Sequence, residues 1–399
     1  MKIILKNIIS ALDKFFVHFR RKKMPPVKAD KILVISLYFR GDVLFNTAAI
    51  RMLKKIYPDT VIDVLVKSRS SEVLEGNPDI NRLIVFDDIM TADYEDNSEF
   101  KAGEKLSLLK KIRKEKYDIC VDFTGKYTTA LIALLGSFKY SFGLNYNGFG
   151  FCYSKFIDND TQNTKGLLID KYLNAVKEGL FIPGNRWEEL YNDHKGKCFI
   201  YISGSEKTEA RKILKNLDIS SDKPLICIQT TAGWKAKEWD ENNYFMLLEK
   251  FITAGYSYIL IGAEKDRERN FRILDALPGD QRKYFLSLPL KLNASIISLS
   301  DLFIGSDSIG LHFAGALNIP SVGLFGPTNP SFSNPYGEIH KFIYKKLICS
   351  ASENKQYCTR NAGKTCLTLE CLQNIDSDEV MKNAEFLLNL KFHTKGISA

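Results

Sequence analysis

Histidine, cysteine, proline and glycine are all scarce in this chain, at 5, 8, 12 and 25 of 399 residues. So little proline and glycine excludes collagen-like and low-complexity chains. A composition of 45% hydrophobic and 26% charged residues is that of a folded globular protein. Eight cysteines are too few for a disulfide scaffold, and Cys120 and Cys227 sit inside apolar strand-like runs, so a reducing compartment is expected. Cys349, Cys358, Cys366 and Cys371 lack the closely paired spacing of zinc modules, which leaves a structural metal or plain loop packing as their readings. No run of about 20 apolar residues is present, so no membrane-spanning helix is expected. The start also lacks the apolar core and small-residue cleavage site of a secretory signal, which makes the cytoplasm the expected location. A P-loop, an HExxH helix, a Ser-His-Asp set and RNP-like aromatic stretches are missing too, and with them the support for P-loop NTPase, hydrolase and RNA-module readings.

What is present begins with length and charge. A chain of 399 residues holds two ordinary domains of roughly 150 residues or more. Lys and Arg exceed Asp and Glu by 56 to 47, a net charge of +9 that favours anionic partners. Residues 1–23 place Ile4, Ile8, Leu12, Phe15, Phe16 and Phe19 at helical spacing and end in Arg20, Arg21, Lys22 and Lys23. Such a basic amphipathic helix suits an anionic membrane surface or packing on the protein's own core.

After Pro25 and Pro26 the pattern alternates strand, turn and helix. Apolar runs at 31–37, 61–67, 82–87 and 118–123 read as strands, with helices at 43–58 and 106–116 between them. Turn signals gather between 145 and 195, placing a domain junction near Pro183-Gly184. A second cycle follows, with strands at 224–231, 256–262, 301–307 and 321–326 and helices at 205–217, 242–255 and 308–318. Continuous apolar strands alternating with helices imply parallel sheets covered on both faces. The expected division is a basic helix at 1–29, a Rossmann-like domain at 30–184, and a second at 185–399 carrying the cysteine loop and a C-terminal helix. In doubly wound sheets ligands bind beyond the carboxyl ends of the strands, so residues just after strands are the candidates.

Asp42 follows the first strand and opens a helix, where it serves as an N-cap, a general base, or both. The stretch 229–240, QTTAGWKAKEWD, offers the hydroxyls of Thr230 and Thr231 and the cations Lys235 and Lys237 as donors to a phosphate; a solvated loop is the plainer reading. At Asp307-Ser308-Ile309-Gly310-Leu311-His312 a strand runs into a helix whose first amides and dipole favour an anion, and His312 either touches the ligand or is structural. Asp266 and Glu268 follow another strand and could accept from ribose hydroxyls, against a solvated helix start. Asp158-Asn159-Asp160 has a D-x-D form that holds metal in some sugar-nucleotide enzymes, but it sits in a turn-rich stretch.

Taken in order, the blocks at 32–66, 77–87, 117–145, 228–239 and 301–330 resemble the heptosyltransferases of glycosyltransferase family 9, and the Phe-Arg-Gly-Asp form with the Thr231-to-Lys237 spacing looks most like the third, branching member. The resemblance implies a GT-B fold of two doubly wound Rossmann-like domains facing a cleft. It also implies ADP-heptose as donor, a lipopolysaccharide core acceptor, inversion, and neither metal nor other cofactor. Asp42 matches the family's base position. Thr230, Thr231 and Lys237 match its pyrophosphate positions, with Lys235 as the alternative lysine, and Asp266 or Glu268 would contact the ribose. Asp307, Ser308 and His312 match its D-[ST]-x-x-x-H pattern, which here has Ile309 where many members have Gly, with Gly310 one place later. The rival readings are a transferase of the same fold using another nucleotide sugar for a surface glycan, and a non-catalytic nucleotide- or nucleic-acid-binding protein. The second has only the positive charge behind it, so no nucleic acid is expected as a partner.

Overall fold

The computed structural model describes residues 23–87, 102–145, 148–158, 166–192, 195–219 and 222–397, and the basic segment 1–22 lies outside them. They form two compact units, the first ending at Tyr201 and the second beginning at Ile202.

The first unit contains β1 (Lys31–Ser36), α1 (Arg40–Ile56), β2 (Val61–Val66), β3 (Arg82–Val85), α2 (Ala102–Glu115), β4 (Ile119–Asp122), α3 (Tyr127–Leu135), β5 (Tyr140–Asn145), β6 (Lys155–Asp158), α4 (Leu168–Gly179) and α5 (Gly184–Asn192). Its strands pair in parallel in the order β3-β2-β1-β4-β5-β6. The central strands are mainly apolar because both of their faces are covered: Leu33, Ile35, Leu65 and Cys120 join Leu108 and Ile112 of α2 in one core. The unit continues past the junction expected near Pro183-Gly184. Trp187 of α5 is buried, the Phe199 N–H donates to Thr47 Oγ1 at 2.8 Å, and the Arg51 guanidinium lies 4.0 Å from the Phe199 ring centre. These contacts tie residues 184–201 to α1.

The second unit contains α6 (Gly204–Asn216), β7 (Leu225–Gln229), α7 (Glu241–Thr253), β8 (Ser257–Gly262), α8 (Arg267–Asp275), β9 (Phe285–Ser287), α9 (Leu290–Leu299), β10 (Leu302–Ser306), α10 (Ile309–Ala316), β11 (Ser321–Phe325), β12 (His340–Tyr344) and α11 (Ser377–Ile397). Its parallel order, β12-β11-β10-β7-β8-β9, repeats the topology of the first sheet. Helix α6 begins on a capping box in which Ser203 and Glu206 each satisfy the other's backbone N–H, at 3.2 and 2.6 Å. Trp239 is the largest fully buried side chain; it stands edge-on to Tyr244 at 4.9 Å and donates to the Ile375 carbonyl at 3.1 Å, pinning the approach to α11.

All eight cysteines are unbridged, and among the described residues no three His, Cys, Asp or Glu side chains are disposed to hold a metal ion. Asp158 closes β6, while Asn159 and Asp160 lie outside the described residues. No described helix is long and apolar enough to cross a membrane.

Candidate active site

In each sheet the strand order reverses between two neighbours, β1 and β4 in the first unit and β7 and β10 in the second, and a doubly wound sheet offers its ligand crevice at that point. Asp42, Thr231, Lys237, Asp307, Ser308, Gly310 and His312 lie on the segments that follow these strands, whereas Asp266 and Glu268 follow β8.

In the second unit, β10 delivers Asp307 into the interior at 7% exposure, and the loop after β7 delivers Lys237 at 8%. Lys237 Nζ lies 3.0 Å from Asp307 Oδ2, and Ser333 Oγ donates to Asp307 Oδ1 at 2.9 Å. Burial alone would push the Asp307 carboxyl up; Lys237, His312 and Ser333 outweigh it and hold it at about 2. The Lys237 ammonium also sits 4.1 Å from the centre of the Trp234 indole. An ammonium carries three donors and Asp307 accepts one, so Lys237 is a fixed cation that can still bind an anion. Lys235 is exposed and lies outside this buried pair.

His312 Nε2 lies 3.6 Å from Asp307 Oδ1, but burial lowers the imidazole to about 4. It is therefore neutral at pH 7, and the contact is not an ion pair.

Gln229 at the end of β7 is a residue that sequence reasoning missed. Its Oε1 accepts from Ser308 Oγ at 3.1 Å and from the Gly310 N–H at 3.2 Å, fixing the first turn of α10. This explains the displaced glycine: a Cβ on Gly310 would stand 2.3 Å from Gln229 Oε1 and 2.7 Å from the Phe303 ring. The only local signal was the position of Gln229 at a strand's carboxyl end.

The two threonines part company. Thr231 Oγ1 donates to Asp266 Oδ2 at 3.0 Å, and that oxygen also accepts the Ala263 N–H at 2.8 Å. Thr230 differs from its expected role as a phosphate donor: it is fully buried and donates to Asn270 Oδ1 at 2.7 Å, fastening β7 to α8. Asp266 is half-buried beside Thr231, whereas Glu268 is exposed and is not brought to this cluster.

In the first unit, Asp42 is half-buried in the first turn of α1, and Phe39, not Asp42, is the N-cap. Tyr172 of α4 donates its hydroxyl to Asp42 Oδ1 at 3.2 Å. Burial lowers the neighbouring Lys171 ammonium to about 8, against the attraction of Asp42, which keeps it from falling further. The turn before α1 is stitched to the end of β4: Thr124 Oγ1 accepts the Leu37 N–H at 2.8 Å and Tyr38 OH donates to the Thr124 carbonyl at 2.9 Å. Buried Asp122 holds that β4 loop by accepting the N–H groups of Thr124 and Gly125, at 2.8 and 3.0 Å, and the Tyr153 hydroxyl at 2.7 Å. Around this frame stand cations. Arg40 Nε donates to the Arg69 carbonyl at 2.8 Å, Arg69 lies over the Phe39 ring at 4.6 Å, and Lys126 lies 5.4 Å from the Tyr38 ring. A carboxylate on a rigid turn among cations can take a proton from a hydroxyl of an anionic molecule.

Comparison with known proteins places the chain in a family. The family model for glycosyltransferase family 9 (heptosyltransferase) matches residues 105–362. Lipopolysaccharide heptosyltransferase 2 of Salmonella typhimurium is 26% identical over 335 residues, covering 80% of this chain and 88% of that one. Lipopolysaccharide heptosyltransferase 3 of Escherichia coli is 27% identical over 310 residues, covering 75% and 84%. The solved E. coli ADP-heptose lipopolysaccharide heptosyltransferase II superposes with a TM-score of 0.72 at 23% identity, over 90% of this chain and 99% of that one, which makes the fold GT-B. The chain belongs to glycosyltransferase family 9, the heptosyltransferases.

Proposed function

We propose that this enzyme transfers heptose from ADP-heptose to a hydroxyl of the lipopolysaccharide inner core, with inversion and without a metal ion or other cofactor. The observation that carries the donor half is the buried Lys237–Asp307 pair at the reversal of the second sheet, with Ser308 and the first turn of α10 beside it. Two relatives with similar degrees of identity are named as lipopolysaccharide heptosyltransferases 2 and 3, and one structural neighbour is named for ADP-heptose. These names support the donor and the acceptor class, and the sequence pattern of Thr231 to Lys237 favours the branching sub-type.

In this reading Lys237 faces the diphosphate of the donor. As the glycosidic bond to ADP breaks, charge builds on the departing phosphate, and a pre-fixed ammonium stabilises it without reorganising. That positive charge takes the part a divalent cation plays in other sugar-nucleotide enzymes. Ser308 and the α10 amides assist, Thr231 is held in place by Asp266, and Asp266 accepts from the ribose. Asp42 is the base: it removes the acceptor proton as that oxygen attacks the anomeric carbon from the face opposite ADP, so the configuration inverts. Such a base contributes about 10² to 10⁴ in rate. Arg40, Arg69 and Lys126 suit the phosphates of a lipopolysaccharide core, and an acceptor of that kind places the enzyme at the cytoplasmic face of a membrane with no role for nucleic acid.

The test is transfer from ADP-heptose to truncated lipopolysaccharide core, followed by product mass and anomeric configuration, with competing nucleotide sugars and with EDTA present. Retained activity in EDTA, ADP-heptose preference and an inverted product support the reading. Use of another sugar nucleotide in preference would replace the donor, and a retained configuration would remove Asp42 as the base.

A further inference from the structure

Helix α3 is built the wrong way round for a surface helix. Its inner face is small, with Thr129, Ala130 and Ala133 buried against the sheet. Its outer face carries Tyr127, Leu131, Leu134 and Leu135, at 41, 42, 44 and 43% exposure and at the helical spacing of a single stripe. Single exposed leucines are ordinary, but a helix apolar all round is normally buried, and a continuous apolar face marks an interaction site.

The surroundings identify the partner. Arg113 of α2 donates to the Leu135 carbonyl at 2.7 Å, so α2 runs beside this stripe, and Lys110, Lys111, Arg113 and Lys114 of α2 are all exposed. Of the acids at this end of α2, Glu115 bonds Lys31 and Arg82, each at 3.0 Å, and Asp118 pairs with Lys139, while Glu104 stands in the first turn, at the opposite end of the helix from Lys110–Lys114. From Lys126 to Lys139 the sequence holds no acidic residue. At the start of α3 the Tyr127 ring lies 6.2 Å from Phe149, itself 6.1 Å from Phe151, and both phenylalanines are half-buried. An apolar stripe, an aromatic end and a cationic flank are the three elements of a surface that enters the headgroup layer of an anionic bilayer. A second copy of the chain fits poorly, because pairing this face with itself would set two cationic α2 helices together.

We infer that the outer face of α3, flanked by the basic residues of α2, docks this enzyme on an anionic lipid bilayer. Lys126, the residue before α3, reaches the Tyr38 ring in the turn that leads to Asp42, so docking here would bring the base side of the first unit to the lipid surface. The inference uses no donor chemistry and stands whatever sugar the enzyme transfers.

The test is co-sedimentation of the full-length protein with phosphatidylcholine–phosphatidylglycerol vesicles and with phosphatidylcholine vesicles alone. Wild type is expected to bind the anionic vesicles and not the neutral ones. Leu131→Ser/Leu134→Ser is expected to weaken binding at least about tenfold, and Lys110→Glu/Lys111→Glu to remove the preference for phosphatidylglycerol. Both pairs are exposed, so unchanged thermal melts are expected and exclude misfolding as the cause. A third variant, Phe15→Ser/Phe16→Ser, separates the N-terminal segment. If that variant alone loses binding while Leu131→Ser/Leu134→Ser binds as wild type, the docking face is not α3. Failure of wild type to bind anionic vesicles, or a wild-type dimer that Leu131→Ser/Leu134→Ser turns into a monomer, would equally overturn the inference.

Discussion

Replacing Lys237 by Met keeps the volume of the side chain and removes its charge, which isolates the electrostatic role of the buried pair. At 3.0 Å the Coulomb attraction to Asp307 is roughly 5 kcal/mol with an effective dielectric constant of about 20. Removing one partner leaves a carboxylate at 7% exposure with only Ser333 and a neutral histidine beside it. A cost of about 3–5 kcal/mol is therefore expected, or roughly 6–20 °C in the melting of a unit of this size. Lys237→Met/Asp307→Asn removes the whole pair, and Ser333 can still donate to the amide oxygen, so the double variant should recover most of that loss. Urea unfolding at pH 7, followed by circular dichroism and tryptophan fluorescence, measures both; Trp234 stacks on Lys237 and reports on the site itself. Calorimetric titration with ADP should show both variants weakened, because neither keeps the cation. A loss under about 1 kcal/mol in the single variant, or a double variant no more stable than the single one, would refute the reasoning.

Tyr172→Phe removes one hydrogen bond to Asp42 and should lower kcat/KM about fivefold in steady-state transfer assays, an amount that corresponds to about 1 kcal/mol. Gly310→Ala drives a methyl group into Gln229 and Phe303 and should cost about 1–3 kcal/mol in urea unfolding, with weaker ADP binding as the first turn of α10 shifts. His340, bonded to Ser321 Oγ at 2.8 Å, is lowered to about 4 by burial from an ordinary value of 6.5. The unfolded chain therefore takes up the proton first, so this contribution to stability is complete above pH 6.5 and is lost as pH falls towards 4, amounting to roughly 3 kcal/mol. His312 acts in the same direction, and a urea midpoint that did not fall between pH 7 and 4.5 would contradict both.

The fold was legible where strands are buried on both faces. The cores of β1, β4, β7, β8 and β10 appear in the sequence as apolar runs because no side chain in them meets water, and β2 does so apart from Asp63, whose buried carboxylate is paired with Arg82 and Tyr117. Of the rim strands, β3 showed in the run at 82–87, but β6 (Lys-Phe-Ile-Asp), buried only at Ile157, and β9, with only three residues, gave no such pattern. The junction was misplaced for a related reason. Turn signals gather up to Pro183-Gly184, but Trp187 of α5 and Phe199 attach residues 184–201 to the first unit through contacts far away in sequence. At the site, Asp42, Lys237, Asp307 and Gly310 were visible as residues just after strands. The roles of Gln229, Asn270, Ser333 and Tyr172 were not, because each acts through a partner distant in the chain. Position after a strand identified where chemistry could occur. It could not say that Thr230 was already occupied by Asn270.

The most direct measurement is single-turnover transfer from ADP-heptose to purified, truncated lipopolysaccharide core by the wild type and Asp42→Asn, with ADP affinity measured on both. The account predicts an inverted heptosyl product from the wild type and a rate lower by about 10² to 10⁴ in the variant, with ADP affinity unchanged because Asp42 and the Lys237–Asp307 pair lie in different units. A variant that transfers at the wild-type rate, or a wild type that binds ADP but makes no heptosyl product from this donor and acceptor, would contradict it.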